Sequence, residues 1–287
     1  MGLSTEVSVA DNRKLAMGNR QSIITLLTDF GSQDYFVGAM KGAILSINPS
    51  AQIVDITHDI PPQDIHAGAF NLLASYAAFP PGTIHVAIVD PGVGSQRKPL
   101  LIECAGQFFI GPDNGIFSWI CEREGKVRAI LLKNEKFFRY PVSATFHGRD
   151  IFAPVAAALS NGVVLEEFGD LVKDYVRLES LAVKTLTDGQ VEARIIHIDR
   201  FGNCVTNLTR DHVSHASFKT GARLFVNGRD ISTLRHFFAE PADPQSELFC
   251  IFGSTGFLEI AAQDSSAAAI LNARRGQPVL LELDRGN

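Results

Sequence analysis

Residues 23–31 read Ile-Ile-Thr-Leu-Leu-Thr-Asp-Phe-Gly. Six uncharged residues, β-branched or apolar, stop at a carboxylate and then a glycine. That pattern predicts a buried strand over Ile23–Thr28 ending at Asp29. Downstream, Phe36, Val37, Met40, Ile44 and Leu45 recur at helical spacing and stop before Asn48-Pro49. Ile53–Ile56 reads as a second strand, and Gln63–Phe79 as a second helix opened by Pro61-Pro62, since proline is tolerated where helices start. Ile84–Val89 reads as a third strand, ending at Asp90. This β-α-β-α-β order predicts a parallel sheet covered by helices. Ligands of such sheets bind beyond the carboxyl ends of the strands, where Asp29 and Asp90 stand. A hairpin (Leu100–Cys104 with Gln107–Ile110) and helices near Asn114–Arg123 and Ile151–Leu159 complete this half.

The character changes after about Val172. Val191–Ile198, Cys204–Thr206, Ala222–Val226, Leu248–Phe252, Phe257–Ile260 and Val279–Leu283 are short strand candidates separated by Gly, Asn and Asp turns. They predict a small antiparallel barrel or sandwich. The expected organisation is a flexible tail over residues 1–21, an α/β N-terminal domain with a mainly parallel sheet over 22–180, and a smaller all-β, barrel-like C-terminal domain over 190–287.

Composition narrows the function classes. With 287 residues, 46% hydrophobic and 20% charged, the chain is neither disordered, collagenous nor a coiled coil as a whole. No apolar run reaches the ~18 residues of a membrane span. A net charge of −5 argues against a general nucleic-acid binder, which carries a basic face. Cys104, Cys121, Cys204 and Cys250 form no CxxC pair, so buried reduced thiols in a cytoplasmic chain are expected rather than a disulfide framework or zinc site. Residues 1–21 lack an apolar segment and carry Glu6, Asp11, Arg13, Lys14 and Arg20, unlike a secretory signal, and Glu6 breaks the myristoylation pattern.

Five motifs carry candidate chemistry, and each has a plainer reading. In Thr28-Asp29-Phe30-Gly31, Asp29 is placed to take two ribose hydroxyls, or to serve as a turn aspartate; Asp34 beyond it is a candidate ligand or an N-cap. Asp90-Pro91-Gly92-Val93-Gly94-Ser95-Gln96-Arg97 lacks a phosphate-loop pattern. It either curls so that Asp90 and Arg97 face one cavity, or is a turn with a surface ion pair. His147, in Phe146-His147-Gly148-Arg149-Asp150, is a proton-handling candidate or a structural histidine, and Arg149 and Asp150 could simply pair at the helix start. Asp199-Arg200-Phe201-Gly202-Asn203 offers a ring to stack on a heterocycle and an amide to read its edge, or is only a hairpin turn. Gly253-Ser254-Thr255-Gly256-Phe257-Leu258-Glu259 is a carboxylate-binding turn or a turn alone. His58, Asp59, Asp64 and His66 are of metal-ligating types, but their spacing is not that of a tight site and Pro61-Pro62 divides them; no metal is expected.

Taken in order, these five motifs closely resemble the S-adenosylmethionine hydroxide adenosyltransferases (S-adenosylmethionine hydrolases), relatives of fluorinase and chlorinase. The resemblance covers about residues 22–283. It implies an α/β domain followed by a β-barrel-like domain, and a homotrimer whose sites lie between the first domain of one subunit and the second of the next. It implies hydrolysis of S-adenosylmethionine to adenosine and methionine; no cofactor is expected beside this substrate, and neither nucleic acid nor membrane is expected as a partner. Carried over residue by residue, the catalytic set falls on Asp90, Arg97 and His147 and the ribose carboxylate on Asp29. Methionine contacts fall on Asp34, Asp199 and Ser254, adenine contacts on Phe201 and Asn203, and an aromatic wall on Phe238. The halogenating relatives lack the full Asp-Arg-His set and carry an aromatic residue in place of the Gly-Val-Gly run, so the resemblance implies water rather than halide as nucleophile. Thr255 departs from the Tyr or Arg frequent in relatives.

Overall fold

The computed structural model describes residues 22–186, 189–240 and 247–283. The tail expected over residues 1–21 and the final residues 284–287 lie outside the described residues. The chain forms two compact units, the first ending at Ser180 and the second beginning at Leu181.

The first unit is built on β1 (Ile23–Thr28), β2 (Gln52–Thr57), β3 (Ile84–Ile88), β4 (Pro99–Cys104), β5 (Gln107–Pro112), β6 (Arg128–Leu132) and β7 (Gly169–Val172). They form one seven-stranded sheet in the order β2-β1-β3-β5-β4-β6-β7. β2, β1, β3 and β5 pair in parallel, while β4, β6 and β7 extend the sheet by antiparallel pairing. β3 is buried throughout and β1 from Ile24 onward, which is why both read as largely apolar runs: a parallel sheet is covered on both faces. Helices α1 (Phe36–Ile47), α2 (Ile65–Ser75), α3 (Ser118–Glu124) and α4 (Ala153–Ser160) complete the unit. Met40 and Ile44 of α1 and Val155 and Leu159 of α4 share a core with Ile24, Leu26, Val86 and Ile88 of the sheet. The chain leaves β1 toward β2 on one side and returns to β3 on the other, so the ends of β1 and β3 flank the point where the strand order reverses.

Several element boundaries differ from expectation for local reasons. α2 starts at Ile65, not Gln63, because Asp64 caps it through Ala67 N–H at 2.9 Å and Gln63 holds a positive φ of 65° outside the helix. The segment near Asn114–Arg123 is helical only from Ser118. The helix expected at Ile151 opens earlier, with a wide π-type turn over Gly148–Phe152 in which Ala153 N–H bonds to Gly148 O. Pro154 has no N–H to offer Asp150 O four residues back, and the Arg139 N–H takes that carbonyl instead, at 2.8 Å. α1 has Tyr35, not Asp34, at its N-cap position.

The second unit carries β8 (Lys184–Thr185), β9 (Gln190–Ile198), β10 (Cys204–Thr209), β11 (Arg223–Val226), β12 (Arg229–Ile231), β13 (Leu234–Arg235), β14 (Leu248–Phe252), β15 (Phe257–Ala262) and β16 (Pro278–Glu282). They make one nine-stranded sheet, ordered β12-β11-β16-β9-β10-β15-β14-β13 with β8 beside β9. It curls into a half-barrel around Ile195, Leu208, Leu224, Leu258, Ile260 and Leu281. Two short helices, α5 (His215–Lys219) and α6 (Ala267–Leu271), fill in around it.

Candidate functional site

Thr28 and Ile88 are level with one another where β1 and β3 pair, so the chain beyond both strands enters one region. Asp29 and Asp90 stand there. Asp29 Oδ2 accepts the Gln63 N–H at 2.8 Å. Burial pushes the Asp29 carboxyl up, the Gln63 N–H pulls it down, and the nearby Asp90 charge pushes it up again; the net direction is upward.

The loop after β3 curls back on itself through Val93 N–H to Asp90 O and Ser95 N–H to Gly92 O, at 3.2 and 3.1 Å. Ser95 Oγ then accepts Arg97 N–H at 3.2 Å. Gly94, at φ 77°, passes so close to the neighbouring loop that a Cβ there would lie 2.2 Å from Ala144 O. The curl brings Arg97 onto Asp90 as a two-pronged fork: Nε to Oδ1 at 3.1 Å and Nη2 to Oδ2 at 2.5 Å. Both side chains are buried, 7% and 5% exposed, so this is not the weak surface pair of the plainer reading. Phe152 lies beneath, its ring centroid 5.4 Å from Arg97 Cζ.

Arg97 Nη2 also lies 2.9 Å from His147 Nδ1. A guanidinium only donates, so Nδ1 accepts and the imidazole carries its hydrogen on Nε2. Burial and the Arg97 charge hold the His147 pKa below the ordinary imidazole value, against opposing pulls from Asp90 and Asp150. The turn carrying His147 is anchored by Asp150, which is fully buried and accepts Arg149 Nε and Nη2 at 2.6 and 2.8 Å and Ser143 N–H at 2.9 Å. Burial pushes the Asp150 carboxyl up, but these partners outweigh it and hold it down. Arg149 and Asp150 do pair at the start of the wide turn. Phe146, next to His147, packs with Phe30, Tyr35 and Phe36 at centroid distances of 6.0, 6.4 and 5.3 Å.

The structure thus brings Asp90, Arg97 and His147 into one bonded chain, with Asp29 beside Asp90. Asp34 is exposed in the turn before α1. In the second unit, Asp199 Oδ1 accepts Phe201 N–H at 2.9 Å and Asn203 N–H at 2.8 Å, and Oδ2 accepts Asn203 Nδ2 at 2.8 Å. The Asn203 amide is buried, while the Phe201 ring at the tip of the turn is 77% exposed. Ser254 is exposed on the turn between β14 and β15. Behind it the half-buried Glu259 has its carboxyl pushed up to about 7 by burial and by the Asp199 charge. Phe238, also exposed, packs edge-on against Phe249 on a separate segment of this unit.

Of the metal-capable residues, Asp64 caps α2, His58 bonds to Thr28, and His66 sits 6.1 Å from the Trp119 ring. Among the described residues no three His, Cys, Asp or Glu side chains gather as a metal-binding group. Sequence reasoning missed Gln63, Phe152 and Ala144. The Pro61-Pro62 pair ahead of Gln63 signals only a helix opening, and nothing in the sequence marks the positive φ at Gln63.

Comparison with known proteins agrees in both units. Residues 24–169 match the SAM hydroxide adenosyltransferase N-terminal domain, and residues 193–280 match the C-terminal domain of that name. A Methanocaldococcus jannaschii protein named (R)-S-adenosyl-L-methionine hydrolase is 39% identical over 262 residues, 87% of this chain and 92% of its own. A fluorinase from an Actinoplanes species is more distant, 28% identical over 73% of this chain and 80% of its own. The crystal structure of an uncharacterized conserved protein from Thermotoga maritima superposes with a TM-score of 0.82 at 33% identity, covering 90% of this chain and 99% of that one.

Proposed function

The chain belongs to the SAM hydroxide adenosyltransferase family, and from that premise we propose that it hydrolyses S-adenosyl-L-methionine to adenosine and L-methionine. The observation that carries the chemistry is the Asp90–Arg97–His147 chain beyond β3. The substrate is a sulfonium and its leaving thioether is neutral, so departure needs no general acid. What the reaction requires is a water in line with C5′, opposite the sulfur. The C5′–S bond breaks with its electron pair going to sulfur while the water oxygen forms the new C5′–O bond, and one proton is released. Positioning of this kind lowers a barrier by several kcal/mol.

His147 serves as a neutral donor here. Its Nε2–H holds the water oxygen, leaving a lone pair free for C5′, and Arg97 fixes the ring orientation through Nδ1. Asp90 holds Arg97, balances its charge and offers spare lone pairs toward the water hydrogens. Asp29 takes the ribose hydroxyls. Asp34, Asp199 and Ser254 take the methionine portion. Phe201, with Asn203 and the aromatic wall of Phe238, takes the adenine. No cofactor has a part in this scheme. A homotrimer is the assembly, as the family resemblance implies, and four free buried thiols support a cytoplasmic setting.

The test is incubation with S-adenosylmethionine in ¹⁸O-water, with products separated and weighed. Adenosine carrying the label at its 5′ oxygen, together with methionine, is the expected result. Chlorinated adenosine on adding chloride would instead favour halide transfer, and retained S-adenosylmethionine with no product would favour a sensor.

A further inference from the structure

The mechanism above leaves His58 without a role, yet this residue is tied to the chain on either side of Asp29, at Thr28 and at Gly31. Its Nδ1 lies 2.8 Å from Thr28 Oγ1, and its carbonyl accepts the Gly31 N–H at 2.8 Å. Thr28 Oγ1 in turn accepts the Phe30 N–H at 3.3 Å, closing the turn around Asp29. Both members of the side-chain bond are deeply buried, Thr28 completely and His58 to within 9%. On the far side of the ring, Asp55 Oδ1 stands 3.1 Å from Nε2, and Asp55 Oδ2 receives Lys41 Nζ at 2.6 Å. The imidazole therefore ties the chain just beyond β2 to the end of β1, with the Asp55–Lys41 pair beside it.

A backbone irregularity makes this possible. The pairing of β1 with β2 slips between Leu26↔Asp55 and Leu27↔Thr57, leaving Ile56 as an extra residue. In a regular strand residues 55 and 58 would point to opposite faces. The bulge shifts the alternation, so that both side chains meet beneath the turn.

We propose that His58 is a positioning residue for ribose recognition: through Thr28 Oγ1 and Gly31 N–H it fixes the turn that holds the Asp29 carboxylate toward the ribose hydroxyls. The proposal rests on the reading of Asp29 as the ribose ligand. Asp29 is thus held from two sides, its backbone through His58 and its carboxylate through the Gln63 N–H.

The test compares dissociation constants of adenosine and 2′-deoxyadenosine by calorimetry on the full-length protein, which needs no turnover. Wild type should favour adenosine by about ten- to a hundredfold, the effect of a hydrogen bond to a charged group. His58→Ala and Thr28→Val should each cut that ratio at least threefold. His58→Asn, whose amide nitrogen falls near the place of Nδ1, should keep it near the wild-type value. Thr28→Val removes the same bond, together with the Phe30 N–H contact, with almost no change of volume, so an unaltered ratio there counts against the proposal even if His58→Ala fails to fold. A side chain that merely supported the fold would weaken both ligands equally, and an unchanged ratio in Thr28→Val overturns the proposal alone. A wild-type ratio of one would remove the Asp29 reading and the proposal with it.

Discussion

At the residue scale, Arg97 organises the site. Its fork saturates one side of Asp90 while a remaining N–H fixes the tautomer of His147, and both consequences follow from a group that can only donate. Burial, and then the same contact, set the proton chemistry. His147 is shifted downward, so its neutral form persists to lower pH than free imidazole and is lost only as pH falls through the depressed value. The expected outcome is an NMR titration of the His147 ring with a midpoint below 6.5, rising in Arg97→Leu, where the guanidinium is gone and Asp90 stands unpaired. A wild-type midpoint at or above 6.5 would contradict the assigned geometry. This is also the scale at which the sequence was least informative about the site. A seven-residue separation between Asp90 and Arg97 left open both a shared cavity and a surface pair, because burial comes from Phe152 and the 143–147 loop, far along the chain.

At the scale of elements, strands buried on both faces were legible because mostly apolar residues fill them, and the buried Thr25 and His85 satisfy each other at 2.7 Å; β1 and β3 lie close to their expected bounds. β7 was not legible. Gly169-Asp170-Leu171-Val172 sits at the sheet edge with two exposed residues, so it shows no periodicity. The start of α2 was hidden by the positive φ of Gln63, which propensity does not encode, and the wide turn at Gly148 by Pro154, which looks like an ordinary helix opening. The loop after β3 offers a sharp test. Gly94→Ala adds a Cβ 2.2 Å from Ala144 O at a φ that disfavours side chains, so the two loops must separate. We expect a loss of about 1–3 kcal/mol in stability, read by denaturant unfolding, and a larger fall in kcat than in substrate affinity. Unchanged turnover would show that the contact between the loops does not position Arg97.

For the molecule as a whole, an α/β unit and a curled all-β unit each enclose their own core. The cysteines report on both. Cys104 and Cys121 are buried in the first unit, Cys204 and Cys250 in the second. Burial and an Asp199 charge push the Cys204 thiol up to about 12, and burial raises Cys250. A thiol-specific reagent should modify none of the four in the native protein and all four after denaturation, since reaction needs both access and thiolate. Rapid labelling of Cys204 or Cys250 alone would place the second unit at the low end of local stability.

The wide turn at Gly148–Phe152 has a further consequence. A π-type turn is what an α-helix becomes when it swallows one additional residue. Deleting a single amino acid from this stretch would let the coil regularise and spare the hydrophobic packing of α4. Everything upstream would then swing by roughly 100° about the axis, the angular step of one helical residue. The imidazole would be carried off the guanidinium, giving a folded protein stripped of its chemistry by the loss of one codon.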